Sequence, residues 1–239
     1  MARRRQKKIT AADLGDYGSV VHRTVRVDDA AQGLGVSKSA VRKVMRDAQN
    51  ELSGRYFRMM TGRDEADFSA TASPRGLLIA AYGPGPRGGA VDATTAANDL
   101  GVSPETVRRW AAGTQKPSPE HLKTLRAAAR RSVHTKNGRR AATDALRRSA
   151  KIQKWLQSDR PLIQIEGLQG PSEIDYARQR NIKIDLNPRD HPNRFDDLLN
   201  AYVEGGDRGL MEWLTEFAND AYLEKWVFFV IDDITIGED

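Results

Sequence analysis

The sequence predicts an α+β fold: a mainly helical N-terminal two thirds with two helix-turn-helix units, followed by a small ββααβ C-terminal domain. Three observations carry this expectation. The stretch Ala96-Ala97-Asn98-Asp99-Leu100-Gly101-Val102-Ser103-Pro104-Glu105-Thr106-Val107-Arg108-Arg109-Trp110 has the spacing of a helix, a tight turn and a second helix. A second copy lies upstream, where Ala31, Leu34, Gly35, Val36, Ser37, Val41 and Val44 fill the same slots at a constant offset of 66 residues. Period-two alternation then appears at Leu162–Leu168 and Asn181–Leu186, and Lys225–Ile236 is rich in strand-forming residues.

The elements follow in order. Residues 1–10 read as a basic arm carrying Arg3, Arg4 and Arg5, which a minor groove can receive. Residues 11–60 form the first helix-turn-helix unit, with Val44, Ala48, Leu52 and Phe57 extending a helical apolar face. Residues 61–75 are polar, contain Gly62, Ser73 and Pro74, and read as a linker. Residues 76–131 form the second helix-turn-helix domain, opened by a short apolar helix at Leu77–Tyr82. Gly83–Gly89 is glycine-rich but lacks the Gly-Lys-Ser/Thr ending of a phosphate loop, so it is a plain connection. A helix starting near Pro119 places Leu122, Leu125 and Ala129 on one face and breaks at Asn137-Gly138. Residues 132–160 are a basic helical connector, with one helix expected over about Arg139 to Gln157. Residues 161–239 are an acidic α/β domain, with helices at about Asn193–Glu204 and Asp207–Leu223 between the second and third strands.

The motif has a mechanical logic. Ala97 lets two helices cross closely, and Gly101 permits a turn that a side chain would strain. Leu100, Val102, Val107 and Trp110 face inward, while Ser103 caps the second helix and Pro104 suits its first turn. Ser103, Pro104, Glu105, Thr106, Arg108 and Arg109 then stand where a DNA groove would lie, with Lys116 in the following turn. In the upstream copy the corresponding positions are Lys38, Ser39, Arg42 and Lys43.

The formal net charge of +6 hides an asymmetry. From Pro104 to Arg160 there are fifteen Lys/Arg against four acids, and from Ile182 onward five bases against fourteen acids. A basic stripe of this size fits a polyanion, and Arg139, Arg140, Arg147, Arg148, Lys151 and Lys154 are expected along the phosphate backbone. The acidic end is expected to face away from DNA or to meet another protein.

Other chemistry finds little support. The chain has no cysteine, and His22, His121, His134 and His191 lack ligand spacing, so no metal and no cofactor is expected. Asp196-Asp197 suit the first turn of a helix, and Asp232-Asp233 on a strand would point to opposite faces, so neither pair suggests a metal-dependent nuclease. Trp155, Trp213 and Trp226 read as core or interface residues. No apolar run is long enough for a membrane span and the basic start is no signal peptide, which leads to the expectation of a cytoplasmic, nucleoid-associated protein rather than an enzyme.

From about Ser73 onward the chain resembles the terminal proteins (Tpg-type) of linear actinobacterial chromosomes and plasmids. The resemblance rests on Leu100-Gly-Val-Ser with Thr106-Val-Arg-Arg-Trp110, on Lys116-Pro-Ser-Pro, on the strand pair at Ile163 and Ile182 joined through Tyr176-Ala-Arg-Gln-Arg180, and on Ile231-Asp-Asp-Ile. It implies binding to the telomeric DNA of a linear replicon and priming of terminal DNA synthesis through a side-chain hydroxyl. The implied partners are DNA, a DNA polymerase and a telomere-associated protein. The family's priming threonine falls in the loop between the first two strands; here that loop has none, which leaves Ser172 and Tyr176 as candidate nucleotide-linked hydroxyls. The first helix-turn-helix unit lies outside the resemblance. A transcriptional regulator, or a plasmid replication or partition factor, is the alternative reading, and the exposed sheet edge of the last domain offers a route to a homodimer.

Overall fold

Two glycines in the left-handed region set the geometry of both helix-turn-helix units. The computed structural model describes residues 8–21, 23–86, 88–171, 176–222 and 224–237. In it, helix α1 (Val27–Leu34) ends at Gly35 with φ 68° and ψ 35°, and α4 (Ala93–Leu100) ends at Gly101 with φ 66° and ψ 34°. Just beyond each glycine the chain folds back identically: Val36 N–H donates to the Ala31 carbonyl and Val102 N–H to the Ala97 carbonyl, both at 3.0 Å. These bonds satisfy carbonyls that a helix end leaves without partners. The following helices are α2 (Lys38–Thr61) and α5 (Pro104–Ala111). Ser37 Oγ accepts from Ala40 N–H at 3.2 Å and Ser103 Oγ from Thr106 N–H at 3.1 Å, the same cap in each copy.

The chain divides into two units, residues 1–53 and 54–239. In the first, a 3-10 helix (Ala12–Tyr17), α1 and the start of α2 enclose Leu14, Val25, Ala30 and Val41. The basic arm expected at residues 1–10 lies outside the described residues up to position 7.

The second unit has two cores, and the end of α2 reaches both: Phe57 enters one, Tyr56 and Met60 the other. The first core joins α3 (Pro74–Tyr82), α4, α5 and α6 (Pro119–His134) through Leu77, Leu78, Ala97, Val107, Trp110, Leu125 and Ala129. Residues 61–75, expected as a linker, are part of this core. Ala66, Phe68 and Ala72 are buried in it, and Arg63 is buried as well. The polar residues between those three anchors give the segment its linker-like composition; the division of the chain falls instead inside α2, between Ser53 and Gly54.

Two helix boundaries differ from expectation. The break expected at Asn137-Gly138 falls at Thr135, whose hydroxyl accepts from Gly138 N–H at 3.1 Å and so caps α7 (Lys136–Arg147). Gly138 serves packing instead: a Cβ there would lie 2.3 Å from the Arg131 carbonyl oxygen of α6. The single basic helix expected over Arg139 to Gln157 is divided at Ser149, which caps α8 (Ala150–Leu156).

The second core underlies a three-stranded antiparallel sheet of order β2-β1-β3, formed by β1 (Leu162–Pro171), β2 (Arg178–Asp185) and β3 (Trp226–Thr235). Helices α9 (Arg194–Gly205) and α10 (Asp207–Ala221) bury Leu198, Tyr202, Leu210 and Leu214 with Ile163, Ile165, Ile184 and Phe228. The ββααβ order is as the sequence predicts. The alternation expected at Asp232-Asp233 fails because β3 is bulged: Glu166 pairs with Asp233 and Gly167 with Ile231, leaving Asp232 extra, and both aspartates are exposed. No helix among the described residues is long and apolar enough to cross a membrane.

Candidate nucleic-acid interface

In the downstream motif, burial of Val107 and Trp110 against α4 and α6 turns the opposite face of α5 outward. Glu105, Arg108 and Arg109 lie on that face, with the two arginine side chains 61% and 59% exposed. Glu105 holds both, at 3.3 Å from Arg108 Nη1 and 3.3 Å from Arg109 Nε. Such exposed pairs contribute little to stability, so they orient the guanidinium groups without locking them. Ser103 and Thr106 are occupied with each other, their hydroxyls 2.9 Å apart, and Pro104 is half-buried in the first turn. Lys116 is exposed in the turn after α5 and makes no ion pair among the described residues.

The upstream copy presents fewer free cations than its sequence suggests. Lys38 pairs with Asp28 at 2.9 Å and Lys43 with Asp47 at 2.5 Å, while Ser39 shares a hydrogen bond with Ser37 at 2.8 Å. Arg42 remains exposed with no ion pair among the described residues, and Arg46, one helical turn further on, is alike.

The basic stripe separates into two classes. Arg139 is only 8% exposed and does not face solvent. Its guanidinium donates to the carbonyls of Tyr202 (Nε, 3.0 Å), Val203 (Nη2, 2.9 Å) and Val133 (Nη1, 3.4 Å), and it lies over the Tyr202 ring. Arg140 pairs with Glu204 at 3.1 Å, and Lys136 pairs with the same carboxylate. The Lys136 hydrogen bond, followed by the nearby positive charges, holds the Glu204 carboxyl below its ordinary range. Arg147 reaches Asp196 and Asp144, both at 2.8 Å, and Asn200 at 2.7 Å. The acidic helix α9 therefore packs on the basic helix α7, so part of the charge asymmetry along the sequence is compensated within the fold. Arg139, Arg140 and Arg147 are engaged within the fold, whereas Arg148, Lys151 and Lys154 are exposed and without ion pairs among the described residues.

Sequence reasoning missed three cations on α6. Lys123, Arg130 and Arg131 are exposed and make no ion pair among the described residues. Their signal is in the sequence: Leu122, Leu125 and Ala129 define the buried face, which leaves these positions outside.

Of the two candidate hydroxyls, Ser172 lies outside the described residues. Tyr176, between β1 and β2, is 59% exposed. Among the described residues no group of three or more His, Asp or Glu side chains is placed to hold a metal ion. Asp232 accepts from Gln179 at 2.7 Å and Asp233 from Thr235 at 2.8 Å. The chain matches no protein-family model, no curated protein and no solved structure.

Proposed function

We propose that the chain binds duplex DNA, reading base edges with the exposed face of α5 and with the first turns of α2. The observation that carries this reading is the repeated turn: two left-handed glycines, two equal 3.0 Å return bonds and two serine caps, each preceding a helix with cations on its outer face. This geometry suits insertion of the second helix into a major groove. Lys116, Lys123, Arg130, Arg148 and Lys154 supply sequence-independent contacts to phosphates. The reading is tested by selecting bound duplexes from a randomised pool with the full chain and measuring their affinity at several salt concentrations. A recovered consensus with steep salt dependence supports it; equally weak binding to every duplex at low salt overturns it.

A second, finer reading is a terminal protein of a linear replicon, primed on a side-chain hydroxyl. The exposure of Tyr176 in the inter-strand segment favours it. The phenol oxygen would attack the α-phosphorus of a deoxynucleoside triphosphate, its proton leaving to solvent and pyrophosphate departing, with a partner polymerase supplying the metal ions. Isolation from cells under denaturing conditions decides this. Nuclease-resistant nucleotide retained on the chain and lost in Tyr176→Phe supports it, and a chain free of nucleotide overturns it.

A further inference from the structure

A cleft of about 550 Å³ lies within the second unit, where the end of α2, the junction of α7 and α8, and the end of β3 converge. Segments this far apart in sequence do not meet around a cleft through local propensity; tertiary packing creates it. Met59, Leu146, Ile152 and Ile236 give it an apolar lining. Arg55, Arg58 and Lys151 line it as well. Arg58 donates to the Ala66 carbonyl at 3.1 Å and Arg55 to that of Ile231 at 3.4 Å, with Asp232 3.9 Å from Arg55, and Lys151 is exposed with no ion pair among the described residues. Asp64 and Asp233 also line the cleft.

This mixture selects among ligands. A duplex backbone is excluded by size and by the two carboxylates, and a simple anion would leave the apolar side chains wet. A ligand that suits this lining has an apolar body for the aliphatic side chains, a phosphate for the cations, and hydroxyl or amino donors for Asp64 and Asp233. We infer that the cleft binds a nucleoside 5′-monophosphate, either free or as the terminal nucleotide of a single strand. None of its lining residues belongs to α5 or to the first turns of α2, so the site is independent of the duplex-reading surface.

The test is calorimetric titration of the full chain with each of the four deoxynucleoside 5′-monophosphates, the matching nucleosides, and a 5′-phosphorylated single-stranded octanucleotide. At least one monophosphate is expected to bind with Kd below about 1 mM, and its nucleoside about tenfold more weakly. Lys151→Glu should weaken the nucleotide about tenfold, and Ala145→Leu, which fills the cleft, should abolish it. Lys123→Glu on α6 should leave it unchanged, as should Arg108→Ala, which is expected to impair duplex binding alone. Competition between octanucleotide and free nucleotide assigns the site to strand ends, and binding of the free nucleotide only assigns it to a small effector. Absence of heat with all four monophosphates overturns the inference, as does equal weakening by Lys151→Glu and Lys123→Glu. Both lysines are exposed, so these variants are expected to fold, and thermal melts verify it.

Discussion

Arg139 on α7 donates to the main-chain carbonyl of Val203, at 2.9 Å from Nη2 and 3.2 Å from Nε. Val203 lies in the last turn of α9, where carbonyls have no partner within the helix. The same guanidinium reaches Val133 in the last turn of α6, so one buried side chain terminates two helices. Arg63 does the same for α3 through the carbonyls of Ile79 and Ala80, and burial without a carboxylate partner lowers its pKa to about 10. Both arginines count toward the positive charge of the chain while being withdrawn from any polyanion.

Replacing Arg139 should therefore act on stability. Arg139→Leu removes the guanidinium donor from the Val203 and Val133 carbonyls, while Tyr202 keeps the Gly206 N–H at 2.8 Å, and is expected to cost about 2–4 kcal/mol. Arg139→Lys should recover only part of this, because an ammonium cannot span the same carbonyls. Urea unfolding midpoints measure both; a DNA affinity reduced without any loss of stability would contradict the assignment.

Arg108→Ala and Arg109→Ala should each weaken specific duplex binding by about 1–3 kcal/mol and relax base preference. Glu105→Gln should raise affinity for unrelated duplexes, since it releases both guanidinium groups and removes a negative charge from the docking face. Mobility-shift titrations against matched and mismatched duplexes separate the two effects.

The divided stripe makes a prediction about salt. Arg148→Ala and Lys154→Ala should each reduce the slope of log affinity against log salt by about 0.9. Arg147→Ala should leave that slope unchanged and lower stability instead, through loss of its contacts to Asp196, Asp144 and Asn200. The comparison requires only affinity measurements at four or so salt concentrations.

The paired glycines allow a test of backbone strain with no steric component. Nothing lies within 4 Å of a Cβ built on either Gly35 or Gly101. Each Gly→Ala change should cost about 1–2 kcal/mol from the left-handed conformation alone. Gly138→Ala differs in kind, since its Cβ would meet the Arg131 carbonyl and force α6 and α7 apart. Thermal unfolding of the three variants distinguishes strain from clash.

Acid should loosen the contact between α7 and α9. The Glu204 carboxyl is held below its ordinary value in the folded chain. Its contribution is therefore present above about pH 4.5 and is lost as pH falls through the lower, folded value. Glu204→Gln should flatten this part of the melting-temperature profile, and an unaltered profile would show that the pairing with Lys136 and Arg140 does not stabilise the fold.

The two turns and the ββααβ order were legible because local chemistry specifies them: Gly35 and Gly101, the serine caps, and the alternation around Ile163 and Ile182. Other features depend on partners distant in sequence. Nothing near Arg139 announces Val203, 64 residues away, and nothing near Arg147 announces Asp196, 49 residues away. Phe68 is the one aromatic residue in the polar segment 61–75, and its burial depends on distant partners such as His134 of α6, 5.2 Å away between ring centroids. Gly138 resembled a turn residue because sequence alone does not distinguish a bend from a close crossing. The exposed face of α5 followed from its periodicity, while the loss of half the basic stripe to internal contacts was a tertiary effect.

The strand order β2-β1-β3 bears on how the chain acquires its structure. The central strand, β1, finds β2 across a short connection but receives β3 only after α9 and α10 have intervened. Until then one side of β1 displays unpaired backbone groups between Gln164 and Pro171, a template for pairing with other molecules. Chains interrupted before Trp226 should accumulate in inclusion bodies, and a peptide spanning residues 226–235 supplied in trans should reduce that loss by occupying the vacant side.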